Sequence, residues 1–203
     1  MPSLTPTASS AHALAAPSPW ITRWSHLLPK ACTVLDLACG NGRHLQWFAA
    51  RGHAVLGVDQ DVAAARCNVP SAQLLQADIE NAPWPLRALD LEGSPTGPPR
   101  QFGAVVVTNY LWRPLWPVLL QSLAPGGLLL YETFAAGNET VGRPARPDFL
   151  LQPGELLQLC APLQVVAYEN GFLAEPARFV QRIAAFAPAL PASEPAEIPR
   201  HRL

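Results

Sequence analysis

From residue 33 to residue 44 the chain reads T-V-L-D-L-A-C-G-N-G-R-H, a run that commits it to an alternating α/β architecture. Val34, Leu35 and Leu37 make an apolar segment of strand length, Gly40 and Gly42 a tight loop, and Leu45 to Arg51 a helix that Gly52 caps. A buried strand passing through a glycine turn into a helix is how a doubly wound domain opens its ligand crevice. Without a Cβ, Gly40 and Gly42 can take φ > 0 and let a ligand approach the backbone. Asp36 narrows the choice of ligand. It lies four residues ahead of Gly40, where its charge would repel a pyrophosphate. The dinucleotide fingerprint also requires Gly or Ala three residues after the second glycine, and Leu45 stands there. The loop therefore suits a ligand that is cationic near the glycines, while a turn without any ligand is the alternative that one motif leaves open.

The same unit recurs downstream. Ala54 to Val58 is a second strand ending in Asp59, which follows Gly40 at close to the roughly 20-residue spacing at which an acid meets a ribose. A carboxylate there can accept from both ribose hydroxyls. Asp61 reads as the cap of the next helix, Val62 to Cys67. Ala72 to Ala77 is a third apolar strand, and it ends in Asp78. Three strands followed by three acids are far more specific than any one of them.

The acid-x-G-x-G-x-G spacing, with Ala38 in place of the first glycine, resembles motif I of the class I S-adenosylmethionine-dependent methyltransferases. That resemblance implies the cofactor S-adenosyl-L-methionine. Asp36, Ala38, Gly40, Asn41 and Gly42 would border its methionine portion, which carries a sulfonium and an ammonium and no phosphate. Asp59 and Gln60 would meet the ribose, Asp78 the adenine amino group, and Ile79 the ring through its backbone N–H and apolar flank. Phe102 to Thr108 forms a fourth strand ending at Asn109 and Tyr110, where acceptor and methyl donor should meet. N-Y-L-W departs here from enzymes that methylate nucleobases or glutamine amides, which carry Pro-Pro at this place. Pro114 to Ala124 reads as a helix, and the family-like L-A-P-G-G at 123–127 stops it before a fifth strand, Leu128 to Thr133. Leu163 to Tyr168 and Phe179 to Phe186 suit the closing pair of strands. The implied fold is a doubly wound, Rossmann-like sheet of seven strands, mostly parallel with an antiparallel final strand. In size and compactness the chain is similar to the tellurite-resistance and thiopurine methyltransferase-like enzymes.

The reaction implied is in-line methyl transfer to a small-molecule acceptor, in which alignment is the enzyme's main contribution. No residue stands out as a general base. Catalytic candidates are Asn109, Tyr110, His44 and Glu132, each near the carboxyl end of a strand. Gly137 to Gln152 is a polar, irregular segment where active-site loops cluster. With Tyr110, its Glu139, Arg143 and Arg146 are the candidates for contact with the acceptor, because guanidinium groups suit a carboxylate or phosphate. Other readings are a catalytically silent S-adenosylmethionine-binding protein that acts through a partner, a nucleic-acid or protein methyltransferase, and a dinucleotide dehydrogenase, the last disfavoured by Asp36 and Leu45.

Composition agrees with one globular domain: 203 residues, 49% hydrophobic and 14% charged. A net charge of -1 provides no field for a polyanion or an anionic membrane, so nucleic acid is an unlikely partner. Cys32, Cys39, Cys67 and Cys160 lack metal-ligand spacing, and no metal is expected. No apolar run approaches the roughly 20 residues of a membrane span, and residues 1–19 lack the basic start of a secretory signal. A cytoplasmic location is expected. Residues 1–18 and 188–203 read as disordered tails around a domain at 19–187, with a first amphipathic helix over Trp20 to Leu28 that Ser18 and Pro19 start. Asn81 to Gln101, with five prolines and two glycines, reads as a surface excursion.

Overall fold

A computed structural model describes residues 14–88 and 96–189. Seven strands, β1 (Thr33–Leu37), β2 (Ala54–Asp59), β3 (Gln73–Gln76), β4 (Phe102–Thr108), β5 (Leu123–Phe134), β6 (Gln164–Ala174) and β7 (Ala177–Phe186), form one sheet in the order β3-β2-β1-β4-β5-β7-β6. The first five run parallel, while β7 is antiparallel to both β5 and β6. Strand order reverses between β1 and β4, and a crevice opens beyond their carboxyl ends.

Alternation along the strands divides the side chains between two layers. Leu35, Leu37, Val105, Val107, Leu129 and Tyr131 pack with α4 (Trp116–Gln121) and α5 (Glu155–Leu159). Val34, Val106, Leu128 and Leu130 pack on the opposite face with α1 (Pro19–Trp24), α2 (Arg43–Ala49) and α3 (Ala63–Asn68). The same alternation carries Asp36 and Glu132 into this second, otherwise apolar layer. Both are buried there, and each needs an account.

Helix α1 begins where its sequence says it should. Ser18 Oγ accepts the Trp20 N–H at 3.1 Å, and Pro19 supplies the first helical residue. Trp20 and Trp24 are buried edge to face with centroids 5.6 Å apart, and Trp20 Nε1 donates to the Ile183 carbonyl at 3.2 Å. A buried indole of this kind removes about 150–250 Å² from water, worth several kcal/mol at about 25 cal/mol per Å². Beyond Trp24 the expected single helix tightens into a 3₁₀ turn, Ser25–Leu27.

Three boundaries differ from the sequence reading. Ser18 was expected to cap the first helix at the end of a loose tail; it does cap it, and it is also 3% exposed and hydrogen-bonded through its N, Oγ and O, so the ordered unit starts before Pro19. The remaining expectations for the tails, at residues 1–13 and 190–203, lie outside the described residues, as does 89–95 of the surface excursion. Helix α4 ends at Gln121, and β5 takes in the P-G-G segment because Leu123 already pairs with Phe102 across an irregular register. The β6–β7 hairpin is longer than its apolar core, pairing as far as Ala174 with Ala177.

Candidate active site

The crevice is built on backbone geometry before any side chain enters it. Ala38 and Asn109, at the ends of adjacent strands, both take left-handed conformations, φ 54° and φ 56°. Such conformations cost a non-glycine residue on the order of 1 kcal/mol and cluster at functional sites. Gly40 and Gly42 are left-handed as expected, φ 52° and φ 84°, but they do different work. A Cβ on Gly40 would meet nothing within 4 Å, so its open side faces the crevice. A Cβ on Gly42 would meet Val69 Cγ2 at 3.1 Å and Ala65 Cβ at 3.3 Å. Gly42 therefore seats the loop against α3, and it is not among the residues that line the cavities described next.

Asp59, at the end of β2, ties this loop down. Its Oδ2 accepts the Gly40 N–H at 2.8 Å and its Oδ1 the Asp61 N–H at 3.1 Å. Each oxygen keeps a second lone pair for a ligand hydroxyl. Two cavities flank the carboxyl end of β1. One, of about 390 Å³, is lined by Ala38, Gly40, Asn41, Arg43, His44 and Asn109, with Leu14 and Ala15 closing it from the N-terminal side. The other, of about 230 Å³, is lined by Ala38, Asp59, Gln60, Ile79, Glu80 and Tyr110. Ala38 and Tyr110 are common to both.

Asp78 is not among the residues lining these cavities. Its Oδ1 accepts the Glu80 and Asn81 N–H groups, each at 3.0 Å, and its Oδ2 accepts from Asn81 Nδ2 at 3.0 Å. The side-chain bond from Asn81, then the backbone bonds, hold its carboxyl below the usual carboxylate range. Asp78 shapes the turn that presents Ile79 and Glu80.

Asp36 and His44 lie beneath the glycine loop, with 1% and 2% of their side chains exposed and Oδ2 4.0 Å from Nδ1. His44 Nε2 accepts the Ser18 backbone N–H at 3.1 Å, which fixes the ring proton on Nδ1, toward Asp36. Burial pushes the Asp36 carboxyl up to about 8, an effect that Arg43 opposes and Asp59 reinforces. Neither Asp36 oxygen has a hydrogen bond of good geometry, although the Leu45 N–H approaches closely enough to offset a little of the cost. Burial, then the charge of Arg43, lowers His44 to about 3.

Ser18 continues the network through its hydroxyl, which donates to Glu132 Oε1 at 3.1 Å. Glu132 is fully buried, and Arg178 and Arg182 pair with it at 3.3 Å and 3.4 Å. Two catalytic candidates thereby lose that role. The free nitrogen lone pair of His44 is taken by Ser18, and Glu132 is neutralised by two arginines in the interior. Tyr110 does face the cavities, but burial and then the neighbouring Glu80 push its phenol well above the ordinary range. It can donate a proton in a hydrogen bond and cannot serve as a base. Asn109 lines both the larger cavity and the one described next.

That third cavity, of about 280 Å³, lies across Asn109 and Tyr110 and is walled by Glu80, Leu111, Thr133, Phe134, Pro144 and Phe149. Its roof comes from the segment after β5, which is pinned at two places. Asn138, buried, donates to the Pro144 carbonyl at 2.9 Å and accepts the Phe179 N–H at 3.2 Å. Arg113 donates to the Asp148 and Leu150 carbonyls at 2.8 Å and 3.0 Å while its Nε holds Glu155 at 2.6 Å. None of the three loop residues expected to touch an acceptor lines the cavity. Glu139 accepts the Gly137 N–H in its own turn at 2.8 Å, Arg143 is exposed, and Arg146 pairs with Asp148 at 2.8 Å in solvent. The sequence reading passed over Arg43, Glu80 and Phe149, which do line cavities. Glu80 could have been found from its place directly after Asp78–Ile79; for Phe149, in an aperiodic loop, there was no signal.

The methyltransferase-domain family matches residues 34–127. Trans-aconitate 2-methyltransferase of Escherichia fergusonii is 30% identical over 152 residues, covering 68% of this chain and 46% of that protein. The chain thus spans about half the length of the curated relatives it matches. Among solved structures, TehB of Haemophilus influenzae superposes with a TM-score of 0.62 at 17% identity, covering 83% of this chain and 61% of TehB. An S-adenosylmethionine-dependent methyltransferase of Methanosarcina mazei superposes with a TM-score of 0.61 at 14% identity, covering 87% of this chain and all of that one. No helix among the described residues is long and apolar enough to cross a membrane.

Proposed function

We propose, because this chain belongs to the class I S-adenosylmethionine-dependent methyltransferases, that it methylates a small molecule held in the cavity across Asn109 and Tyr110. The residues present fit the cofactor. Asp59 and Gln60 would hold the ribose, Ile79 the adenine, and Gly40, Asn41 and Arg43 the amino-acid end. Arg43 supplies a cation for the carboxylate of that end, and the open side of Gly40 leaves room for close approach. Asp36 lies buried beneath the loop, where burial favours its protonated form, so it adds no full negative charge beside the cofactor. When bound, S-adenosylmethionine supplies a methyl on a sulfonium, which passes to a lone pair of the acceptor and leaves a neutral thioether.

The observation that carries this reading is that three cavities converge on Tyr110, two of a size and chemistry for the cofactor and a third for an acceptor. At about 280 Å³ the third is near the lower end of small-molecule sites, about 300–1,000 Å³, and Pro144 and Phe149 of the segment after β5 form part of its wall. The protein's part in the chemistry is positioning. Asn109, in its left-handed conformation, lies between donor and acceptor cavities, and Tyr110 separates them as a wall with one hydroxyl donor. Glu80 is the carboxylate that lines the acceptor cavity, and it would take the proton of an acceptor that arrives protonated. The named acceptor of the relatives, trans-aconitate, is a tricarboxylate, and no basic residue lines this cavity to receive one.

Incubation with methyl-labelled S-adenosylmethionine and a panel of small metabolites tests the proposal. Label is expected in a low-mass product. Label confined to protein or nucleic acid, or none transferred to any acceptor, would contradict it.

A further inference from the structure

We infer that the acceptor is a flat, neutral or cationic molecule, resting its polar edge on Glu80 and Tyr110 and its faces on Phe134 and Phe149, and that the cavity turns anions away. The inference rests on the methyltransferase reading of the same site and adds a charge and a shape to the acceptor.

The argument starts from what lines the cavity. Tyr110, Phe134 and Phe149 contribute aromatic rings, Leu111 and Pro144 apolar surface, and Glu80 the charge. Aromatic faces attract cations and stack on flat rings. No Arg or Lys lines the cavity, and those nearby are either engaged elsewhere or exposed to solvent. Arg113 is held by Glu155 and by two carbonyls of the roof. Arg178 and Arg182 are bound to the buried Glu132, and Arg182 also to Glu169 at 2.7 Å. Arg146 lies over the Phe149 ring, 5.0 Å from its centroid, and its side chain is 72% exposed, so its charge stays in water. Arg143 is exposed. An anionic acceptor would thus face the Glu80 carboxylate with no protein cation in the cavity wall to compensate.

The polar edge is equally specific. The Tyr110 hydroxyl is buried without a hydrogen bond of good geometry, and after burial itself the Glu80 carboxylate is the largest influence on it. A donor and an acceptor therefore stand side by side in the wall. An N-heteroaromatic ring that offers a lone pair next to an N–H, or a ring carrying a protonated amine, would satisfy both groups. A carboxylate would satisfy the donor alone.

The test uses quinoline, 4-aminoquinoline and quinoline-4-carboxylate, three rings of one shape and different charge. Their binding to the protein saturated with S-adenosylhomocysteine is followed by ligand-observed NMR at pH 7.5. Saturation with S-adenosylhomocysteine, verified first, separates the two levels: if it does not bind, the methyltransferase reading fails before the acceptor is considered. With the protein loaded, the amine and the neutral ring are expected to bind at least about tenfold more tightly than the carboxylate, a factor that corresponds to about 1.4 kcal/mol. Glu80→Gln should reduce the preference for amine over carboxylate by about tenfold or more. Phe149→Ala should weaken all three rings together. Equal or tighter binding of the carboxylate, no binding by any ring, or a preference unmoved in Glu80→Gln would each overturn the inference.

Discussion

His44 Nδ1 stands 4.0 Å from Asp36 Oδ2 in the interior of the sheet–helix layer, with the opposite ring nitrogen bound to the Ser18 N–H. Burial shifts the two groups in opposite directions, and their contributions to stability have opposite pH dependence. The folded Asp36 titrates near 8 against 3.8 in the unfolded chain, so between those values the folded state holds the extra proton and stability falls as pH rises. The folded His44 titrates near 3 against 6.5, so between those values the unfolded state holds the extra proton and stability rises with pH. From about pH 4 to 6.5 the two slopes offset one another, and from 6.5 to 8 only that of Asp36 remains.

Stability of the ligand-free protein should therefore decline between pH 6.5 and 8, by up to about 1.4 kcal/mol per pH unit. Asp36→Asn should abolish that decline and uncover the His44 slope, so that the variant gains stability as pH rises to 6.5. Urea denaturation at pH 5.5, 6.5 and 8 reads both effects. A decline above pH 6.5 that survives in the Asn variant would exclude Asp36 as its source.

Asp59→Ala should act on both fold and ligand. Gly40 loses the acceptor of its N–H, which costs about 1–2 kcal/mol in stability. Affinity for S-adenosylhomocysteine should drop by at least about 2 kcal/mol, the range of hydrogen bonds to a charged group. Unchanged affinity by calorimetry would remove the ribose assignment, whatever the change in stability.

Ser18 links the N-terminal segment to Glu132, 114 residues away. Ser18→Ala removes the cap of α1 and a hydrogen bond to a buried carboxylate, a loss of about 1–2 kcal/mol. At about 2–4 °C per kcal/mol for a chain of this size, the melting temperature should fall by about 2–8 °C. A melting temperature within a degree of the parent would return residues 14–18 to a loosely attached tail.

Replacing Arg143 and Arg146 together with Ala should change stability by no more than about 0.5 kcal/mol, because both are exposed and the Arg146–Asp148 pair is in solvent. Ring binding in the acceptor cavity, followed as above, should stay within about twofold. A tenfold loss would restore the arginines to the acceptor site.

The parallel sheet, the glycine loop and the acid at the end of β2 were legible because they depend on local signals: apolar runs, glycine spacing and strand-end carboxylates. Asp78 illustrates the limit of that method. Its position matched, but a residue three places on, Asn81, supplies the hydrogen bonds that engage it. The cap at Ser18 was legible, but its link to Glu132 and the burial of Glu132 were not, for a different reason. Composition around Ser18 resembles a tail, and only the folded chain brings its hydroxyl to β5. Glu132 was expected at the crevice, yet strand alternation places it with Leu128 and Leu130, against Trp20 and two arginines. The acceptor cavity was the least legible part. Phe149 lies in a segment without periodicity, and Arg113, from a turn after β4, fixes it in place.

Isothermal titration of the protein with S-adenosylhomocysteine, alongside NAD, tests the central claim most directly. One site per chain is predicted for S-adenosylhomocysteine, displaceable by S-adenosylmethionine and lost when Gly40→Val projects a side chain into the crevice, with no heat from NAD. Absence of binding by S-adenosylhomocysteine, or binding that persists undiminished in a folded Gly40→Val protein, would contradict the account.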